Sequence, residues 1–334
     1  MAAVATPWID VHAHPGRCFL AGLDAADPLV GVLGGQHIAA ALSAAHDAGM
    51  AAVTLSTVAD LRVLAPDPVK GLRASRPFRP GEAYADHRRQ LAGITQTLTG
   101  LGNRPAVTSS QVEAAWDAGQ TAVLLSCEGG DFLDGSLEAL TEARAFGVSS
   151  LTLVHYRVND IGDVQTEPPV HDGLTGFGRQ VVAECNRLGM IIDCAHATFP
   201  TTADVLETSR HPVMISHSHL DHPGSGHPRL LSPAHAAAVA AAGGLIGVWP
   251  AGVVATSLAE FADEIVRLTD LVGPEHVAVG TDMDANYRPV LTGYTDFAAL
   301  PDLLASRGLS DIDTGKILGG NALDLLRTVA GQAD

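Results

Sequence analysis

Cysteine is scarce in this chain. Cys18, Cys127, Cys185 and Cys194 are the only four, and none stands in a CxxC spacing. That excludes a cysteine zinc finger and the dense disulfide framework of a small secreted domain, and the four are expected to be reduced thiols. Long apolar runs are missing too: no stretch approaches the roughly 18 residues that a membrane span needs. The amino-terminal MAAVATPWIDVHAH lacks a basic segment leading into an apolar one, so no secretory signal is read there. A soluble, cytoplasmic protein with no membrane partner is therefore expected. Positive charge is in short supply, with 20 Lys and Arg against 37 Asp and Glu and a formal charge of -17. A nucleic-acid partner is excluded on that ground, because a phosphate backbone demands a basic face. Aromatic residues make up only 4%, beside 46% hydrophobic residues rich in Ala and Gly, a composition that suits a globular α/β protein with closely packed helices.

What the chain does have is histidine, 15 in all. The stretch LGMIIDCAHA is followed, twenty-one positions after its histidine, by PVMISHSH. Two short apolar runs, Met190 to Cys194 and Pro212 to Ile215, each lead to a histidine, and a helix-length segment lies between them. This is a βαβ unit with His196 and His217 at the carboxyl ends of neighbouring parallel strands. Open α/β sheets and barrels place their chemistry beyond those ends, so both imidazoles are candidate metal ligands.

Read in order, the pattern predicts eight strands alternating with helices. Strand one, Trp8 to Val11, ends in His12-Ala13-His14-Pro15-Gly16. Residues two apart in an extended stretch point the same way, so His12 and His14 could grip one ion; a polar turn explains an isolated pair equally well. Strand two, Ala51 to Ser56, opens a Pro- and Arg-rich connection from Asp60 to Pro80, whose arginines Arg73, Arg76 and Arg79 read as solvated surface. Strand three, Thr121 to Ser126, ends in Cys127-Glu128-Gly129-Gly130, where Glu128 has room to bridge two ions,. Strand four, Ser149 to Val154, ends in His155-Tyr156-Arg157. A helix over Gly176 to Leu188 buries Val181, Val182 and Cys185,. In the loop after strand six, His219, His222 and His227 read as solvated, while Arg229 could fix a carboxylate with its planar fork just before a helix capped by Ser232 and Pro233,. Strand seven, Gly244 to Val248, offers no ligand, and strand eight, His276 to Gly280, ends in Thr281-Asp282-Met283-Asp284.

That alternation predicts an α/β fold of the (β/α)8 TIM-barrel type, one domain over residues 1–334, with a binuclear metal site at its carboxyl-terminal rim,. Ligand-type residues fall at the ends of strands one, three, four, five, six and eight. Their agreement in position says more than any single motif.

Several stretches resemble the membrane dipeptidase (renal dipeptidase) family of metallopeptidases, within the amidohydrolase-type barrels. GLTGFGRQVVAECNRLGMIIDCAHAT and PVMISHSH are similar to the family's segments carrying metal histidines, LLSCEGG to the strand with its bridging glutamate, LVHYRVNDIGD to its substrate-histidine loop, HVAVGTDMDAN to its final aspartate motif, and ILGGNALDLL to its terminal helix. The resemblance implies two divalent ions, zinc being favoured by a histidine-rich set, bridged by Glu128, with His12 helping to hold one and His196 with His217 the other; the HxH spacing adds His14 beside His12. It implies that His155 polarises the scissile carbonyl, that Asp282 serves as acid and base, and that Arg229 takes the substrate's terminal carboxylate beside His155 and Tyr156. The expected activity is hydrolysis of dipeptides by a metal-bridging hydroxide, and the resemblance also implies a homodimer. One departure stands out: the family's HxD is His12-Ala13-His14 here, which removes a negative charge from the ligand set. Two other readings remain open, a deaminase, lactonase or phosphotriesterase-like hydrolase of the wider group, and a non-catalytic barrel that binds a partner.

Overall fold

The computed structural model describes residues 7–68, 71–253 and 255–331. Eight strands follow one another around a parallel sheet in chain order: β1 Trp8–Asp10, β2 Met50–Val58, β3 Ala122–Glu128, β4 Val148–Thr152, β5 Ile191–Asp193, β6 Met214–Ser218, β7 Leu245–Val248 and β8 Val277–Val279. A short extra strand, Pro105–Ala106, pairs with β3. The ring closes where the Val11 N–H donates to the Val279 carbonyl at 3.1 Å and the Asp282 N–H to the His12 carbonyl at 2.9 Å. The (β/α)8 barrel expected from the sequence is thus the fold.

Local chemistry explains the elements. The helix over Gly176–Leu188 starts where the Thr175 hydroxyl accepts the Gly178 N–H and stops at Gly189, whose φ of 63° suits a residue without a side chain,. The Ser232 hydroxyl caps the helix Pro233–Ala241 in the same way. The last helix, Asn321–Ala330, packs Leu323, Leu325, Leu326 and Val329 against Ile9, Ala52, Ile191, Met214 and Leu245, and so closes the amino-terminal end of the barrel. All four cysteines are free and buried, as expected. No helix among the described residues is long and apolar enough to cross a membrane.

Several expectations need correction. β2 continues past Ser56 to Val58, because Thr57 and Val58 stay in register with Cys127 and Glu128 of β3; the polar Thr57 is accommodated by its contact with the ring of His87 at 3.3 Å. β6 runs on past Ile215 to Ser218, so His217 lies within the strand. In the loop beyond it His219 is buried rather than solvated, its ring set 6.0 Å from that of Trp249. His222 of the same loop bonds Glu264 at 3.0 Å. The connection after β2 is also less open than a structureless loop, since Leu64–Asp67 and Gly71–Ala74 form an antiparallel ribbon. Arg73, Arg76 and Arg79 are exposed there, as the sequence suggests.

Two glycines set the spacing of the last strands. A Cβ on Gly247 would lie 1.9 Å from the Ser216 carbonyl oxygen, and one on Gly280 would lie 2.0 Å from it. The backbones of β6, β7 and β8 approach too closely there for any side chain, just before His217. Gly247→Ala should therefore destabilise the fold by about 1–3 kcal/mol or more, read as a lower urea midpoint; an unchanged midpoint would show that these strands can spread freely.

His87, on the helix Glu82–Gly100, is stacked on Phe132 at 3.7 Å between ring centroids. Burial pulls its pKa from 6.5 to about 3. Between those values an unfolded chain binds a proton that the folded chain refuses. Stability is thus lost as pH falls from about 6.5 and levels off near 3,. His87→Leu should remove up to about 1.4 kcal/mol per pH unit from that acid-side slope, measured by denaturation at several pH values; an identical slope would contradict the buried neutral imidazole.

Candidate metal centre at the carboxyl ends of the strands

Glu128, the last residue of β3, is 2% exposed and faces five imidazoles. Its Oε1 lies 3.3 Å from His12 Nε2, 3.1 Å from His196 Nε2 and 3.5 Å from His217 Nε2. Its Oε2 lies 3.2 Å from His14 Nε2 and 3.4 Å from His155 Nε2. Burial alone would raise the pKa of this carboxyl, but the neighbouring His155 and His12 outweigh it and hold the group well below the usual carboxylate range,.

The outer ring nitrogens fix which way several of these imidazoles point their lone pairs. Ser216 Oγ is 2.6 Å from Asp193 Oδ2 and 2.9 Å from His217 Nδ1. A hydroxyl has one proton, and the carboxylate can only accept it, so Ser216 accepts from His217 Nδ1–H. His217 Nε2 is left with its lone pair aimed at the centre, 3.1 Å from His196 Nε2. The same logic applies to His14, whose Nδ1 donates to the Ser56 carbonyl at 2.9 Å. Its Nε2 then faces Glu128 and, at 3.3 Å, Asp282 Oδ1. Lone pairs and carboxylate oxygens converging at this range repel unless a cation sits among them. For His14 the pull of Asp282, Cys18 and Glu128 overcomes burial and raises its pKa well above 6.5. Burial, helped by Arg229 and His155 for His196 and by His12 for His217, holds the other two well below 6.5 and therefore neutral. Neither ring nitrogen of His12 makes a hydrogen bond among the described residues, and neither does His196 Nδ1. Three overlapping groups have ligand atoms within 4.8 Å of one another: His12, His14 and Glu128; His12, His217 and Asp282; Glu128, His196 and His217. The donor set suits divalent ions on both sides of Glu128.

The backbone delivering these groups is tightly tied. His12 to His14 runs beside Asp282 to Asp284 on one side, and on the other the Ser56 N–H donates to the Ala13 carbonyl at 2.9 Å. Asp10 anchors the start, accepting from Thr281 Oγ1 at 2.5 Å, the Thr281 N–H at 3.0 Å and the Tyr294 hydroxyl at 3.1 Å; burial still pushes its pKa up to about 6. Asp193 plays the same part between β4, β5 and β6, accepting from Thr152 Oγ1 at 2.6 Å and from the Ser216 N–H at 2.8 Å. His196 and Asp282 both adopt left-handed backbone conformations, with φ of 66° and 54°, which a residue with a side chain enters at a cost.

Around the cluster stand the remaining polar groups. His155 Nδ1 bonds Asp60 Oδ1 at 2.6 Å, and the Tyr156 N–H donates to Asp60 Oδ2 at 3.1 Å. Burial opposes the charged form of His155, yet Asp60 and Glu128 raise its pKa above the ordinary value. Burial pushes the Tyr156 phenol up to about 12. Arg229 is 1% exposed, and its Nε and Nη1 have no hydrogen-bond partner among the described residues. Its guanidinium carbon sits 5.5 Å from the centre of the Trp249 ring. Burial lowers its pKa, but a guanidinium keeps its charge near neutrality,.

Every residue singled out from the sequence thus reaches one rim: His12, His14, Glu128, His155, Tyr156, His196, His217, Arg229 and Asp282. Sequence reading missed Asp60, Asp10, Asp193, Ser216 and Trp249. The aspartates in WID and IID, each closing an apolar strand, were a usable signal for Asp10 and Asp193, since an acid there must find buried partners.

The sequence profile of the membrane dipeptidase family, peptidase family M19, matches residues 83–334. The chain is 34% identical over 223 residues to dipeptidase aclJ of Aspergillus oryzae, covering 63% of this chain and 52% of that one. It is 31% identical over 236 residues to dipeptidase verJ of Clonostachys rogersoniana, covering 67% and 59%. The match spans between about half and three-fifths of the length of these relatives. Among solved structures, dipeptidase AC superposes with a TM-score of 0.81 at 20% identity over 98% of this chain and 100% of that chain. A metallopeptidase from Rhodobacter sphaeroides, liganded with a phosphinate mimic of the dipeptide L-Ala-D-Ala, gives 0.80 at 20% identity over 98% and 100%. Those two likenesses bear on the barrel, while the profile match over most of the chain bears on descent: the chain belongs to the membrane dipeptidase family, peptidase family M19.

Proposed function

We propose that this chain is a metal-dependent dipeptidase that cleaves short peptides bearing a free C-terminal carboxylate, with the whole barrel acting as one hydrolase domain. The observation that carries the reading is Arg229, a buried guanidinium with Nε and Nη1 unpartnered beside a carboxylate–imidazole cluster. An uncompensated buried cation is costly, on the order of several kcal/mol, and a planar, bidentate carboxylate is the group that relieves it. A dipeptide carries such a carboxylate a few bonds from its scissile carbonyl.

Two divalent ions, zinc favoured by the imidazole-rich set, would supply Lewis-acid charge and lower the pKa of water at Glu128. His12 and His14 would hold one and His196 with His217 the other, with Glu128 shared. His155 bonds Asp60 through Nδ1, and in the charged form that Asp60 and Glu128 favour it would also offer Nε2–H to the carbonyl oxygen as that oxygen gains negative charge,. Asp282 retains 12% exposure of its side chain and takes the proton from the attacking water, then returns it to the leaving amine. Tyr156 lines the same wall, its ring 5.3 Å from that of His196. The dipeptide mimic bound by the R. sphaeroides relative supports the substrate class.

Two measurements test this. Elemental analysis should find about two divalent ions per chain in the purified protein, with the number sharply lower in Glu128→Ala; no metal in either, and no activity on adding zinc or manganese, would remove the mechanism. A panel of dipeptides and their C-terminal amides should show cleavage of the free acids only. Arg229→Met should lose on the order of 10²-fold or more in kcat/KM for the acids, because the carboxylate contact is charge-assisted and dry. Equal rates on acid and amide by the unaltered protein would exclude Arg229 as the carboxylate anchor.

A further inference from the structure

Trp249 brings to the rim a hydrogen-bond donor that the protein itself leaves unused. It follows β7 directly, and its backbone N–H donates to the Ser218 carbonyl at 2.9 Å, which fixes the residue against the end of β6. The residue is 4% exposed, and its indole Nε1–H has no hydrogen-bond partner among the described residues. The Pro250 carbonyl beside it is already used, by the Val290 N–H at 2.9 Å and by Asn286 Nδ2 at 3.2 Å. A buried donor left unpaired is a standing cost, and a phenylalanine at the same place would avoid it while filling the same wall.

This orphaned donor does not stand alone. The Arg229 guanidinium carbon lies 5.5 Å from the centre of the indole, and Arg229 Nε and Nη1 are also without partners. On another side the ring lies 5.9 Å from that of His217, whose Nδ1 is engaged with Ser216. Trp249 therefore stands between the cation that would take the substrate's carboxylate and a residue that would hold a metal ion. An indole N–H and a guanidinium can only donate. Three unpaired donor nitrogens gathered at one buried place call for a ligand group that is rich in acceptors and negatively charged,. The two oxygens of a carboxylate offer about four lone-pair sites, enough to serve both residues at once.

We infer that Trp249 is a specificity-determining residue whose indole N–H donates to the same C-terminal carboxylate as Arg229. The inference rests on the dipeptidase reading for the identity of the ligand, whereas the donor itself can be tested by binding alone. Arg229 supplies the charge on a long stem with several rotatable bonds. The indole supplies a second donor on a rigid ring, which selects one orientation of the carboxylate and with it the place of the scissile carbonyl.

The experiment uses the full-length, metal-loaded protein labelled with 15N in its tryptophan indoles. Trp8, Trp116 and Trp249 are its three tryptophans, and the Trp249 signal is the one lost in Trp249→Phe. Two probes are titrated, a phosphinate mimic of a dipeptide with a free carboxylate and the same phosphinate with a methyl group in place of the carboxylate. The expected result is a downfield shift of the Trp249 indole proton with the acid probe and none with the methyl probe. By calorimetry Trp249→Phe should bind the acid probe on the order of 10-fold more weakly. The same variant should bind the methyl probe within about twofold of the unaltered protein, because no hydrogen bond is lost there. On a cleaved dipeptide it should raise KM by a similar factor while kcat stays within about twofold. An indole signal that moves equally with both probes, or an equal loss of affinity for both in Trp249→Phe, would mark packing in place of a hydrogen bond and overturn the inference. Cleavage of dipeptides with an indole that ignores the acid probe would leave the dipeptidase reading standing and end this one. A shifted indole in a protein that cleaves no dipeptide would do the reverse, and binding of neither probe would overturn both.

Discussion

One buried carboxylate organises the molecule. Glu128 is almost fully enclosed, yet it remains ionised because imidazoles approach both of its oxygens at 3.1 to 3.5 Å. A negative charge so placed is tolerated only if positive charge is supplied within contact distance. One of the surrounding histidines cannot supply it as it stands. His217 gives its Nδ1 proton to Ser216 and is held neutral by burial, so it presents a lone pair to the carboxylate. The chain thus builds a cavity whose charge balance is completed by a cation.

The layer behind the ligands does the aligning, and it is made of aspartates. Asp10 ties β1 to Thr281, which immediately precedes Asp282, and Asp193 ties the ends of β4, β5 and β6 together. Asp60 ties the end of β2 to His155. Each is wholly buried and each accepts more than one hydrogen bond. The barrel therefore does more than place side chains at one rim; it locks their protons. The left-handed backbones of His196 and Asp282 belong to the same economy of form: they turn the chain sharply enough to aim a side chain inward at positions where a relaxed strand end would aim it elsewhere,.

The sequence showed the ligands and concealed what orients them, for physical reasons. Strand ends were readable because an apolar run that stops at a histidine or glutamate changes character abruptly, as at Ser126-Cys127-Glu128. β2 was read two residues short because Ser56 and Thr57 look like a polar exit from the strand. In the barrel their polar atoms are turned to neighbouring groups, and the strand continues. That error placed Asp60 in a loop rich in proline and arginine, where an acid is unremarked. Arg229 was named from its position ahead of a helix cap, but its burial was not legible, since the intervening His219 to Pro228 is full of residues typical of surface loops. Only the ends of that segment, His219 and Leu220 and then Arg229, are buried, and its position is decided by long-range contacts, here Glu264 and Arg267 on a distant helix gripping His222 and the Leu220 and Asp221 carbonyls.

The overall charge of -17 and the local charge of the site point in opposite directions. Taken alone, an acidic surface would repel an anionic substrate as it approached. A dipeptide at neutral pH is a zwitterion with no net charge, so the long-range field gives it little push in either direction, and salt screens what remains beyond roughly 8–10 Å. Selection must then happen at contact, where water is excluded and screening is weak. A buried guanidinium with two nitrogens unpartnered suits that task, because its cost in the free protein is relieved only when a carboxylate enters. His12, His14, His155, His196, His217 and Arg229 surround Glu128 and Asp282 there, with Asp60 behind His155. A strongly acidic protein thus keeps one buried guanidinium beside its carboxylate–imidazole cluster, where the negative surface charge does not reach it through contact.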